Sequence, residues 1–201
     1  AIHLAPGGGA NGDGISGSSG MKIGYILGEF PSLSETFILR EILALRAAGL
    51  DIQVFAQRSG FSEKIHDQAR SLLPSVIYSR HWTEWRWWRS QVRSAIRHSP
   101  RLGGLLGKVF WQYRAHPLHL LKVLRRIPAA VSLADEVRAC GITHLHAHFA
   151  FLPADLAMLM AALMDIPFSV AVHARDIYTQ SPDLLACRLS RTAFIVTCSR
   201  Y

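Results

Sequence analysis

An α/β fold built on a doubly wound parallel sheet is the architecture this sequence predicts. Three observations lead there. Short apolar runs rich in β-formers recur along the chain, as in KIGYIL and FSVAVH. Segments with helical spacing stand between them, and such alternation gives parallel strands with crossover helices on both faces. Two helical segments end on a glycine, Gly49 and Gly141, just ahead of the next strand. Glycine takes the left-handed conformation that ends a helix.

The elements follow in order. KIGYIL, residues 22–27, is short and apolar enough to be a buried strand. SETFILREILALRAAG places Phe37, Ile38, Ile42 and Leu45 at helical spacing. DIQVFA (51–56) is the second strand and SVIYS (75–79) the third. SLADEVRACG closes a helix at Gly141 and feeds the strand THLHAHF. PADLAMLMAALM is a helix with Pro153 near its start, and FSVAVH is a strand. Ser181 caps and Pro182 opens a further helix, and AFIVTCS is the last strand.

At 201 residues and 50% hydrophobic, the chain buries a core and is not a disordered polymer. Three cysteines (Cys140, Cys187, Cys198) are too few for a disulfide scaffold and fit a reducing, cytoplasmic setting. The strongly apolar run near residues 156–164 is about half the roughly 20 residues of a membrane span. Residues 1–20 hold 7 of the 15 glycines and no apolar period. They are expected to be a leader or linker, with Met21 the true start and one domain over 21–201. The chain stops just after a strand, so it is expected to be part of a longer protein.

Open parallel sheets bind ligands at the carboxyl ends of their strands. The first such place is the loop Gly28–Ile38. It lacks GxGxxG and GxxxxGK[ST], so a dinucleotide fingerprint and a P-loop are both unsupported. Ser32 and Glu35 have the spacing of a capping box. Gly28, Ser34 and Thr36 are candidate ligand contacts beside them, because a helix N-terminus favours phosphate.

His144, His146 and His148 share one face of their strand. Three imidazoles suggest zinc, but alternate strand positions are nearly 7 Å apart and rarely serve one tetrahedral ion. No bound metal is expected. His148, last on the strand, is the one placed to reach the cleft. His173 ends an apolar strand, with Arg175 and Asp176 in the loop beyond, and is the favoured functional histidine. Asp176 either orients that loop or pairs with Arg175.

Net charge is +8, and it is concentrated. Residues 80–126 carry eleven Lys or Arg against one acid, Glu84; the rest carry eleven against thirteen. All five tryptophans lie in this segment. Trp85, Trp88, Val92 and Ile96 follow helical spacing, with Arg86, Arg89, Arg93 and Arg97 as a neighbouring stripe. A basic, tryptophan-bearing amphipathic helix suits an anionic membrane surface. The alternative is tryptophans packed on the core. No nucleic-acid module accompanies the charge, so a nucleic-acid partner is not expected.

Taken together, MKIGYILGEFPSLSETFILREILALRAAGLDIQVFA, HLHAHFAFLPADLAMLMAALMDIPFSVAVHARDIY and FIVTCSRY resemble the N-terminal half of a bacterial family-4 glycosyltransferase, of the exopolysaccharide and colanic-acid type. The resemblance spans 21–201 and is weakest through the basic insertion at 80–126. It implies a GT-B fold of two facing Rossmann-like domains. It implies retaining transfer of a sugar from a nucleotide-sugar donor to a saccharide or lipid-linked acceptor, at the inner face of the plasma membrane. It requires no metal or other cofactor. By match, Gly28, Ser34, Glu35 and Thr36 line the donor cleft, His173 contacts the donor sugar, and His148 and Asp176 lie on the acceptor side. The C-terminal donor domain lies outside this sequence, so the chain alone is expected to be inactive. Two other readings are carried forward: a metal-dependent hydrolase using His146 and His148, and a non-enzymatic binding module on a membrane surface.

Overall fold

A computed structural model describes residues 20–32, 35–60, 67–79 and 85–197. The expected leader (1–19), Ser34, and the side chain of Arg86 lie outside the described residues. The strands are β1 (Lys22–Phe30), β2 (Asp51–Ser59), β3 (Ile77–Tyr78), β4 (His144–His148), β5 (Phe168–Val172) and β6 (Ile195–Thr197). The helices are α1 (Thr36–Ala47), α2 (Asp67–Leu72), α3 (Trp85–Tyr113), α4 (Pro117–Leu124), α5 (Ile127–Ala139), α6 (Leu152–Met164), α7 (Ala174–Thr179) and α8 (Pro182–Leu189).

All six strands are parallel, in the order β3-β2-β1-β4-β5-β6. This is the doubly wound, Rossmann-like sheet that the alternation predicts. Strand order reverses between β1 and β4, and in open parallel sheets the carboxyl ends at such a switch point are where ligands bind. Strand alternation sorts side chains to two cores. On one face Tyr25, Leu27, Val54 and Ala56 meet Ile38, Leu39 and Ile42 of α1. On the other, Ile26, Phe55, Leu145, Ala147 and Val170 meet α3, α5 and α6. Helix α6 is buried almost throughout, which explains an apolar sequence without a polar face. Its Leu156 and Leu159 are fully buried.

Gly49 and Gly141 take φ of +90° and +68°, closing α1 and α5 as expected. Two boundaries differ. β1 continues to Phe30, because Glu29 and Phe30 go on pairing with Arg58 and Ser59 of β2. Gly28 therefore lies in a strand overhang, not a loop. The capping box expected from Ser32 and Glu35 does not form: Glu35 itself is the N-cap of α1, with no side-chain capping bond. At α8 the expected cap is present, Ser181 Oγ accepting from the Leu184 amide.

The basic segment forms α3 and α4. The carboxyl half of α3 is anchored by buried Leu105, Val109 and Tyr113. Its amino half leaves Trp85, Trp88, Val92 and Ile96 largely exposed, at 66%, 58%, 61% and 72%. Trp111 is exposed as well. Packing on the core therefore does not account for these three tryptophans; Trp87 alone among those described is half-buried.

Candidate functional site

The site at this switch point is built from α1, β1, β4 and the loop after β5. Strand β4 turns His144, His146 and His148 toward α1, and all three are buried. Ser169 on β5 lies between two of them: its Oγ is 2.8 Å from His144 Nε2 and 2.7 Å from His146 Nδ1. One hydroxyl proton and two lone pairs satisfy both rings, donating to one and accepting from the other. Burial, with the nearby His148 charge, pushes His146 down to about 4. Its imidazole is neutral at pH 7.

Glu41, on α1, joins this network. Its Oε1 accepts from the Tyr25 hydroxyl at 2.7 Å and lies 3.3 Å from His148 Nε2 and 4.0 Å from His146 Nε2. Burial raises the carboxyl, but the His148 contact and the Tyr25 bond outweigh it and hold Glu41 down at about 2. Beyond His148, Nδ1 is 3.4 Å from His173 Nε2, and the two rings stack at 5.6 Å between centroids. Tyr25, Glu41, His148 and His173 thus form a continuous polar path from the sheet interior to the loop after β5. The 3.4 Å step between His148 and His173 is the longest on this path. Burial, with the His148 charge, lowers the pKa of His173.

Asp176 fixes the outermost histidine. Its Oδ2 accepts from the His173 backbone N–H at 2.8 Å, and the two residues form a reciprocal capping box at the start of α7. Phe37 and Phe149 flank the His173 ring at 5.0 and 4.7 Å.

Asp176 is fully buried and holds the loop, the orienting role that was one of the two expected of it. His148 is only 1% exposed, beneath the rings of Phe37 and His173. His173 is half-buried, the most accessible of these four histidines. Glu35, at the head of α1, is pushed up by burial and by Glu29, against His148 and Arg175. Thr36 stands next to it as the first residue of α1. A Cβ at Gly28 would meet only Pro153, at 3.8 Å, so packing does not require glycine there.

Glu41, Tyr25 and Ser169 are the site residues that motif reading missed. Both polar ones left a trace. Glu41 sits among Phe37, Ile38, Ile42 and Leu45 on the apolar stripe of α1, and Ser169 interrupts a buried strand. Glu41, His146 and His148 also bring one ligand atom each within 4.8 Å of one another, a spacing a divalent ion could bridge.

Arg89 lies over the Trp85 ring at 5.9 Å, and Arg97 is 3.4 Å from Asp135 of α5. Arg93, like these two, is exposed. No described helix is long and apolar enough to cross a membrane. Compared with protein-family models and with curated protein sequences, the chain matches none.

Proposed function

We propose that this chain is the acceptor-side half of a glycosyltransferase that moves a sugar from a nucleotide-sugar to a saccharide at a membrane surface. The carrying observation is His173. It stands at the carboxyl end of β5 beside the sheet's switch point, with its backbone held by Asp176 and its ring backed by His148 and Glu41. A sugar offers hydroxyls, and a half-buried imidazole can donate to one and then share its charge with Glu41 through His148. The aromatic faces of Phe37 and Phe149 suit the apolar face of a sugar ring. Gly28, Glu35 and Thr36 lie at the edge nearest the head of α1, where a departing diphosphate would gain from free amides.

The amino half of α3 supports the membrane part of this reading. Exposed Trp85, Trp88, Val92 and Ile96, flanked by Arg89 and Arg93, form an interfacial face of the kind anionic lipid attracts. Each such cation is worth about 1 kcal/mol near an anionic leaflet. Arg97 contributes less, because Asp135 partly neutralises it.

A second reading, a metal-dependent hydrolase, is favoured by the convergence of Glu41, His146 and His148. In the geometry described, Glu41 Oε1 already serves Tyr25 and His148, and aromatic rings cover His148. Titrating the purified chain with saccharides, with ring resonances of the histidines followed by NMR, separates the two. Transfer predicts shifts at His173 and none at His144. Stoichiometric zinc uptake with shifts at His146 and His148 would favour the hydrolase.

A further inference from the structure

A cleft of about 730 Å³ opens between α4 and the α7–α8 turn, away from the histidine path. Lys122, Arg125 and Arg126 line one side; Thr179, Gln180 and Ser181 line the other. Arg188 forms its floor and is locked there. Its guanidinium holds Asp155 through Nε–Oδ1 at 3.0 Å and Nη2–Oδ2 at 3.1 Å, and donates to the Ala150 carbonyl at 2.9 Å. Arg188 is thus the main partner of the buried Asp155 charge, with His119 Nε2 also 3.4 Å from Oδ2. Lys122 and Arg125 have no carboxylate within ion-pair distance among the described residues. Arg126 is half-buried and donates to the neutral Gln57 Oε1 at 3.0 Å. Burial, and the neighbouring charges of Arg58 and Arg125, act against its protonation, outweighing the pull of Asp155.

Three cations lining one cavity repel one another, and an anion bound among them would offset that repulsion. The position of the cleft says more. Phe151 forms one wall, with Arg188 5.7 Å from its ring centroid and Arg175 of α7, two residues beyond His173, at 5.6 Å. Phe151 therefore links the cleft to the start of the helix that His173 caps. Outside the cleft, α4 exposes Leu118 (79%) and Leu121 (56%) beside Lys122.

We propose that this cleft binds the phosphate or diphosphate group of the acceptor, with Lys122, Arg125 and Arg126 as its cationic clamp. The clamp would set the sugar across Phe151 from the group it holds, beside His173, and Leu118 and Leu121 would lie against the apolar chain of a lipid carrier. The inference rests on the acceptor-side reading of the chain. Its test is an equilibrium binding measurement that needs no sugar transfer, so the two can fail separately.

The experiment compares the wild-type chain with Lys122→Ala/Arg125→Ala, both exposed positions whose loss leaves the Arg188–Asp155 floor in place. Circular dichroism confirms that the variant is folded. Binding is read by calorimetry with inorganic diphosphate. It is also read by co-sedimentation with phosphatidylcholine vesicles, with and without a polyprenyl diphosphate. The expected result is diphosphate binding weakened about tenfold or more in the variant, as for two lost charge-assisted contacts, and retention on the diphosphate-bearing vesicles above the neutral ones. Diphosphate binding that depends on the clamp, without added retention on those vesicles, keeps the phosphoryl site and assigns it to a soluble ligand. Equal binding by wild type and variant, or binding by neither, overturns the proposal.

Discussion

Replacing His146 with asparagine isolates one buried imidazole and makes the polar path measurable. The ring is almost fully buried, its Nδ1 engaged by Ser169 Oγ at 2.7 Å. An asparagine amide can keep that bond but cannot titrate. In the folded chain burial lowers the histidine from 6.5 to about 4. A histidine lowered on folding adds stability above its unfolded value, and that stability is lost as pH falls from about 6.5 toward about 4, because the unfolded chain takes up the proton first. Between pH 7 and pH 5 the loss from this one group is about 2 kcal/mol. Burial lowers His144 and His173 in the same direction, but both remain in the variant, so the difference between the two proteins reports His146. Urea unfolding at the two pH values, followed by tryptophan fluorescence, measures it. The wild type should lose about 2 kcal/mol more than His146→Asn on acidification. Identical acid sensitivity would refute the claim that burial holds His146 neutral.

Other consequences are as direct. Arg188→Met leaves the Asp155 carboxylate buried without its partner and should cost about 3–5 kcal/mol in chemical unfolding; a loss below 1 kcal/mol would mean that the pair is not buried as described. Gly60→Ala should destabilise the chain, because its Cβ would clash with the Pro31 carbonyl oxygen, whereas Gly28→Ala should unfold like wild type. Thermal unfolding of the two variants tests that contrast, and equal losses would contradict it. Trp85→Ala/Trp88→Ala should change stability by no more than about 0.5 kcal/mol, since both rings are exposed. It should reduce sedimentation with anionic vesicles severalfold; unchanged sedimentation would remove α3 as the contact.

Much of the frame was legible because its signals are local. KIGYIL, THLHAHF and FSVAVH mark strands by apolar content alone, and Gly49 and Gly141 mark the helix ends by the backbone conformation they permit. Boundaries set by tertiary pairing were not legible. β1 runs on through Glu29 and Phe30 because β2 offers partners there, although GEF reads as loop. Helix α7 is not legible in the sequence: it is six residues long, and its capping box joins Asp176 to a histidine, His173, rather than to one of the usual N-cap residues. At the site, place and residue type were enough to single out His173. The role of His148 depended on what covers it, and Phe37 comes from an element more than a hundred residues earlier. Glu41 could be noticed as an acid on an apolar stripe, but its partners on β1 and β4 exist only once the sheet has formed. The cationic cleft has no linear signature, because α4, the head of α6 and the α7–α8 turn meet only in the fold.

The account turns on His173 as the group that meets a saccharide. Equilibrium binding of a lipid-linked saccharide to the wild-type chain and to His173→Ala, each checked for intact folding, measures this most directly. The account predicts clear binding to the wild type and a loss of about tenfold in the variant, the share of one hydrogen bond to a half-buried imidazole. Equal affinity in the two proteins, or no saccharide binding by the wild type, would contradict it.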